Sequence, residues 1–339
     1  MSIKSKHILV IRLSAMGDVA MSIPVLRAFS KQYPQVKLTV LTRAFFIPFF
    51  RDIPNVEVFD ADLKGKYQGV IGLYKLSKTL KRQNIDVIAD LHNVLRTKIL
   101  KLFFIGKPFK QVNKGRAEKK ALTKGKLFNQ LKTTHERYAD VFRALGFDLD
   151  LSNPTFPKRV VIESKTQEFI GKDNKNWIGI APFAQYESKM YPLDLMENVI
   201  KALSKKNKIL LFGGGKKEVD ILNKYEKTYD NTINIAGKYD LNQELDIISN
   251  LDVMLSMDSG NAHIAAMLGK KVVTIWNVTH PFAGFSPFNQ PKDYAITASR
   301  DQFPLIPTSI YGNKYPDDYK EAARTITPET IINKIESIL

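Results

Sequence analysis

The chain of 339 residues contains no cysteine. That excludes a disulfide framework and thiolate metal sites, and it fits a reducing compartment. Histidine is sparse as well: His7, His92, His135, His263 and His280 are scattered with no metal-ligand spacing. No metal site and no cofactor are expected. No apolar run approaches the roughly 20 residues that cross a bilayer. Residues 1–6 lead into a strand-like run without an apolar signal region or a cleavage site, so no secretory signal is expected. The chain is expected in the cytoplasm or on a membrane from its cytoplasmic side. Three familiar motifs are missing too. There is no Gly-x-Gly-x-x-Gly after the first strand, no Walker A loop and no Gly-x-Ser-x-Gly elbow. Nicotinamide, flavin and serine-hydrolase chemistry lose support accordingly.

What is present is an ordinary globular composition, 44% hydrophobic and 25% charged, at a length comfortable for two domains. Residues 7–13 form a continuous apolar run of the kind that makes a buried parallel strand. Strands at 36–42, 56–59 and 85–91 follow, with helical spacing from Val19 and again over 67–83. Pro24 predicts that the first helix becomes regular near Ser22 and Ile23, leaving Asp18 in an exposed loop. Asn153-Pro154 and Phe156-Pro157 mark a linker within 146–158. A second α/β series follows, with strands at 177–182, 208–212, 232–235, 253–256 and 271–276. Its helices lie at 193–204, 218–225 and 241–249, and a last helix is capped by Thr327-Pro328. The order predicts an α/β protein of two Rossmann-like domains facing each other across a cleft, 1–157 and 158–325. A C-terminal helix, 326–339, is expected to pack back toward the first domain.

Charge is unevenly spread. The net is +17, and residues 96–132 hold twelve Lys or Arg against one acid, Glu118. Phe103, Phe104, Phe109 and Phe128 are interleaved with them. Such a stretch attracts a polyanion, whether nucleic acid, anionic lipid or a phosphorylated substrate.

Four loops fall at strand ends, where open α/β sheets bind ligands. Residues 14–18 (Ser-Ala-Met-Gly-Asp) offer one carboxylate, which could act as a general base or simply cap a helix. Residues 181–192 place Lys189 just before a helix, where it could neutralise a diphosphate or remain solvated surface. Gly213-Gly214-Gly215 allows close backbone approach, with Glu218 placed to accept from a ribose hydroxyl. Residues 257–269 turn from a strand into a short helix that Asp258 or Ser259 could cap. Gly260 there keeps the helix N–H groups accessible to a phosphate, and His263 lies in the first turn.

These stretches carry a resemblance. "ILVIRLSAMGDVAMSIP" (8–24) resembles the opening of the bacterial heptosyltransferases of glycosyltransferase family 9. "MDSGNAHIAAMLGKKVVTIW" (257–276) resembles that family's nucleotide-sugar motif. "APFAQYESKMYP" and "LFGGGKKE" are similar to its lysine loop and its glycine-and-glutamate loop. The resemblance implies a GT-B fold, with an acceptor-binding first domain and a nucleotide-sugar-binding second one. It implies inverting, metal-independent transfer of heptose from ADP-L-glycero-D-manno-heptose to the lipopolysaccharide inner core. Carried over, Asp18 is the base, Lys189 the pyrophosphate contact, Glu218 the ribose ligand and Tyr239 the neighbour of adenine. Asp258, Ser259, Gly260 and His263 hold the diphosphate and sugar, with Gln185 beside them. Gly17, Arg96, Lys98 and Arg116 fall to the acceptor. Gln185 and Asn261 depart from the family pattern at the sugar's position.

The partners so implied are a nucleotide sugar, a lipopolysaccharide core acceptor and an anionic membrane surface on the inner face of the inner membrane, with no nucleic acid. Other readings remain: a family member using another nucleotide sugar or a surface-glycan acceptor, or a non-catalytic basic binder of nucleic acid or anionic lipid.

Overall fold

Apolar strands flanked by helices decide the architecture in both halves of the chain. The computed structural model describes residues 7–339; the N-terminal hexapeptide, on which the absence of a signal was argued, lies outside them. Strand β1 (His7–Ile11) is buried along its whole length, as a parallel strand covered on both faces must be. Next come α1 (Met16–Gln32), β2 (Lys37–Thr42), β3 (Val56–Asp60), α2 (Gly69–Lys81), β4 (Val87–Asp90), α3 (Leu95–Leu102) and β5 (Phe109–Gln111). These strands form one all-parallel sheet in the order β3-β2-β1-β4-β5. Helices α4 (Arg116–Thr123) and α5 (Thr134–Arg143) follow. The α1 and α5 helices pack through Phe29 and Phe142, whose ring centroids are 4.8 Å apart.

The second series is α6 (Ser164–Ile170), β6 (Trp177–Ala181), α7 (Leu193–Leu203), β7 (Lys208–Leu211), α8 (Lys216–Thr228), β8 (Thr232–Asn234) and α9 (Leu241–Ser249). It continues with β9 (Val253–Met257), α10 (Gly260–Met267), β10 (Lys271–Trp276), β11 (Ala295–Thr297) and α11 (Pro328–Ile338). Its sheet is also all parallel, in the order β11-β10-β9-β6-β7-β8. The two compact units are the described part of Met1–Gly115 with Lys132–Phe156, and Arg116–Leu131 with Pro157–Leu339.

Three expectations are corrected. First, α1 begins at Met16, so Asp18 is its third residue and not part of a loop. Pro24 sits inside the helix, where it removes one hydrogen bond of the ladder. Burial of every residue from Val19 to Leu26 offsets that loss. Second, residues 116–131 belong with the second unit, although they precede the linker. Their anchor is apolar: Leu122 and Leu131 are buried with Ala283, and the Leu131 N–H donates to the Phe282 carbonyl at 2.9 Å. Third, α11 buries Ile331 and Ile335 in the second unit's own core, where it packs on α7. Its apolar face is therefore spent on the second unit's own core. The basic stretch, to which the sequence pattern assigns no elements, is structured. It contains α3, β5 and α4, whose short lengths and dense lysines hide the periodicity that longer elements display.

Candidate active site

In each sheet the strand order reverses once beside the first strand, which is where open α/β sheets bind ligands. In the second sheet this point lies between β6 and β9. Their pairing is level, Ala181 opposite Ser256, so the loops that follow emerge side by side. The first loop brings Lys189 and the second Asp258, and the two side chains meet: Lys189 Nζ lies 2.8 Å from Asp258 Oδ2, with both largely buried. Thr279 Oγ1, just beyond β10, donates to the same carboxylate oxygen at 3.0 Å. A buried ion pair is costly to desolvate unless it is hydrogen-bonded, and here the threonine supplies that bond.

The lysine is also held from behind. Gly312 has φ of +79°, and a Cβ on it would stand 2.5 Å from Lys189 Cγ. Its carbonyl accepts from Ser188 Oγ, which ties the loop to the lysine's own neighbour. Only glycine fits that backbone at that distance.

Ser259 is the N-cap residue of α10, but its side chain does not cap the helix. Its hydroxyl lies 3.0 Å from Ser256 Oγ instead, and Asp258 is occupied by Lys189 and Thr279. The expected side-chain cap is thus corrected: stronger partners claim both groups. Gly260 opens the helix, and His263 is buried in its first turn.

Glu218, in the first turn of α8, and Tyr239, in the loop before α9, have partners of their own. Glu218 Oε2 accepts from the Gly214 N–H at 2.7 Å, closing the triple-glycine turn. Tyr239 packs edge-on to Phe169 at 6.2 Å. Gln185 is exposed in the β6–α7 loop.

In the first sheet the reversal lies between β1 and β4, where Ile11 is opposite Asp90. Arg12 follows β1 and reaches Asp18 in a 2.5 Å ion pair, its other terminal nitrogen donating to the Leu91 carbonyl at 2.7 Å. Arg12 is buried, whereas the Asp18 side chain keeps 32% of its exposure. Asp18 also accepts from the Ala15 N–H at 3.4 Å, so it serves its helix start while remaining open to solvent. Beside them His92 is buried with Nδ1 lacking a partner, and burial first, then Arg12, lowers its pKa to about 3. It is a neutral imidazole at pH 7. Gly17 lies in the same first turn of α1. Of the remaining residues expected at the acceptor, Arg96 and Lys98 are on α3 of the first unit, and Arg116 opens α4 of the second.

With this geometry in view, the likeness to known proteins is decisive. The model of the family described as glycosyltransferase family 9 (heptosyltransferase) matches residues 73–300. The chain belongs to glycosyltransferase family 9.

A family 9 relative, the lipopolysaccharide core heptosyltransferase OpsX of Haemophilus influenzae, is 28% identical over 84% of this chain and 82% of its own length. Among solved structures, a family 9 glycosyltransferase from Veillonella parvula superposes with a TM-score of 0.76 at 18% identity, covering 100% of this chain and 98% of that one. The heptosyltransferase WaaC of E. coli with ADP gives 0.69 at 17% identity, over 98% and 100%. At such identities the structural likeness establishes the fold, two parallel α/β units of GT-B type. The chain is therefore a glycosyltransferase, and the reading as a non-catalytic basic binder is set aside.

Several residues of the site escaped sequence reasoning. Arg12 stood in plain view at the end of the first strand but reads as the polar end of an apolar run. Thr279 follows β10 by three residues, a strand-end position that could have been flagged. Gly312 lies in a stretch without periodicity, and nothing in the sequence connects it with Lys189.

Proposed function

We propose that this family 9 enzyme transfers heptose from ADP-L-glycero-D-manno-heptose to the lipopolysaccharide inner core with inversion at the anomeric carbon. The observation that carries this reading is the buried Lys189–Asp258–Thr279 cluster at the reversal point of the second sheet. It holds the Lys189 ammonium in a fixed place beside α10, where a diphosphate could take it over from Asp258. Lys189 exchanges its carboxylate partner for the donor's pyrophosphate. Ser259, Gly260 and His263 bind the diphosphate and sugar alongside Asp258 and Gln185, while Glu218 takes the ribose and Tyr239 flanks the adenine.

Asp18 accepts the proton of the acceptor hydroxyl as that oxygen bonds to the anomeric carbon. The bond from that carbon to the β-phosphate oxygen breaks, and its electron pair leaves with ADP. Lys189 and the N–H groups of α10 stabilise the charge that develops on the leaving diphosphate. Arg12 holds the Asp18 carboxylate in place. Gly17, Arg96, Lys98 and Arg116 receive the acceptor and its phosphates. The inner face of the bacterial inner membrane is the expected place of work, and no helix among the described residues is long and apolar enough to cross it.

Calorimetric titration with ADP, UDP, GDP and CMP tests the donor. ADP alone should bind, and Lys189→Ala should abolish that binding. Incubation with ADP-heptose and a heptose-free core acceptor should then yield ADP and an α-linked or β-linked product opposite in configuration to the donor. Binding of another nucleotide in preference to ADP would discard the sugar while leaving the family untouched.

A further inference from the structure

The first unit exposes aliphatic side chains where its fold has no use for them. Helix α2 buries Leu73, Leu76 and Leu80 in the core beneath it. Its opposite face shows Val70, Ile71 and Tyr74, with Ile71 73% exposed. Their spacing places them on one face of the helix. Leu95 and Leu102 lie two turns apart on the outer face of α3, and Ile105 follows in the next turn; Leu102 is 66% and Ile105 86% exposed. The two outward faces are joined, because the Tyr74 ring rests on Phe103 at 5.5 Å.

The charges carried by these two helices are of one sign. Lys75, Lys78, Lys98, Lys101 and Lys107 are exposed beside the aliphatic residues, and Lys78 Nζ lies 4.6 Å above the Tyr74 ring. Residues 63–85 and 91–117 contain no Asp or Glu. Between them Asp90 is fully buried, and Asp86 accepts from the His7 N–H at 3.0 Å.

We propose that the α2–α3 face of the first unit docks on the surface of an anionic lipid bilayer. Exposed aliphatic chains gain by entering the acyl boundary, and lysines gain by lying at the level of anionic head groups with their stems along apolar surface. Nucleic acid matches the charge but not the chemistry, since bases stack on aromatic and guanidinium planes and find no purchase on isoleucine and leucine. The inference deepens the proposed function by naming how the enzyme meets a membrane-bound acceptor, and, Lys98 apart, it stands on residues outside the donor and acceptor sites.

The test is flotation of the full chain with vesicles of phosphatidylcholine containing about one-quarter phosphatidylglycerol, against vesicles of phosphatidylcholine alone. The protein should float with the anionic vesicles at about 0.1 M salt and stay behind with the neutral ones. A triple variant, Ile71→Gln with Leu102→Gln and Ile105→Gln, should weaken that partition by about tenfold or more without altering net charge. Lys75→Gln with Lys78→Gln and Lys101→Gln should weaken it as well and flatten its salt dependence. Both variants should melt like the parent and bind ADP equally well.

A parent chain that ignores anionic vesicles overturns the proposal. So does an aliphatic variant that floats unchanged, because the lysines of residues 116–131 would then carry the binding. A parent chain that is oligomeric by light scattering and becomes monomeric in the aliphatic variant would assign the face to a second copy of the chain instead. Flotation as expected with no nucleotide binding would sink the donor reading alone.

Discussion

The two units treat their functional carboxylates in opposite ways. In the second, Asp258 is buried against Lys189 and Thr279, and Lys189 is backed by Gly312. In the first, Asp18 has one charged partner, Arg12, and keeps about a third of its side chain in solvent. A group that binds a nucleotide diphosphate gains from being held before the ligand arrives, since no ordering cost then falls on binding. A group that must take a proton from an incoming hydroxyl has to remain reachable. Under the proposed function, the contrast puts rigidity on the donor side and access on the acceptor side.

The sharpest way to break this contrast is Asp18→Asn. It should lower kcat by about 10²- to 10⁴-fold, the usual worth of a general base, with ADP affinity unchanged. Steady-state kinetics together with calorimetry would read both, and a parallel loss of ADP binding would erase the distinction between the sides. Next in size is Lys189→Met, which strands Asp258 in a buried site and should cost about 3 kcal/mol of stability in denaturant unfolding. Adding Asp258→Asn should recover most of that stability but none of the ADP binding. Recovery of binding would mean that the pair is structural only.

A third effect separates the lysine's position from its charge. In Gly312→Ala a Cβ would enter a left-handed backbone position and press on Lys189 Cγ. Calorimetry should show ADP affinity falling by about tenfold, less than on removing the lysine, with about 1–2 kcal/mol of stability lost.

The last effect is confined to acid pH and concerns the buried imidazole beside Arg12. The folded state holds the His92 pKa at about 3, below its ordinary 6.5, so the unfolded chain binds the proton more readily. Its contribution to stability is complete above pH 6.5 and is lost as pH falls toward 3. By pH 5 the loss amounts to about 2 kcal/mol. Thermal melts of the parent and His92→Gln across that range should converge or cross as the pH drops, and parallel curves would show that His92 is not buried in the neutral form.

Much of this was legible in the residues. The parallel strands announced themselves because strands buried on both faces must be continuously apolar, as the run at 7–13 is. Asp18, Lys189, Glu218 and Asp258 were singled out as candidates by their places just after strand ends, because an open α/β sheet presents its ligands there. Pro24 misled, since the local preference against proline was overridden by the burial of its helix. The 116–131 segment misled for a related reason. Its charge dominates its composition, whereas Leu122 and Leu131, two residues among many lysines, decide where it packs.

What the sequence by itself determined is therefore the class of fold, the order of its elements and the strand ends that supply the candidate residues. These follow from periodicity and local backbone preference, which act over a few residues. Tertiary structure alone decided the pairs: Lys189 with Asp258, Arg12 with Asp18, Gly312 behind the lysine and α11 on α7. Each joins side chains from elements whose spacing along the chain carries no trace of their meeting. The sheet's register and the packing of its neighbours bring them within reach, and no local rule contains that information.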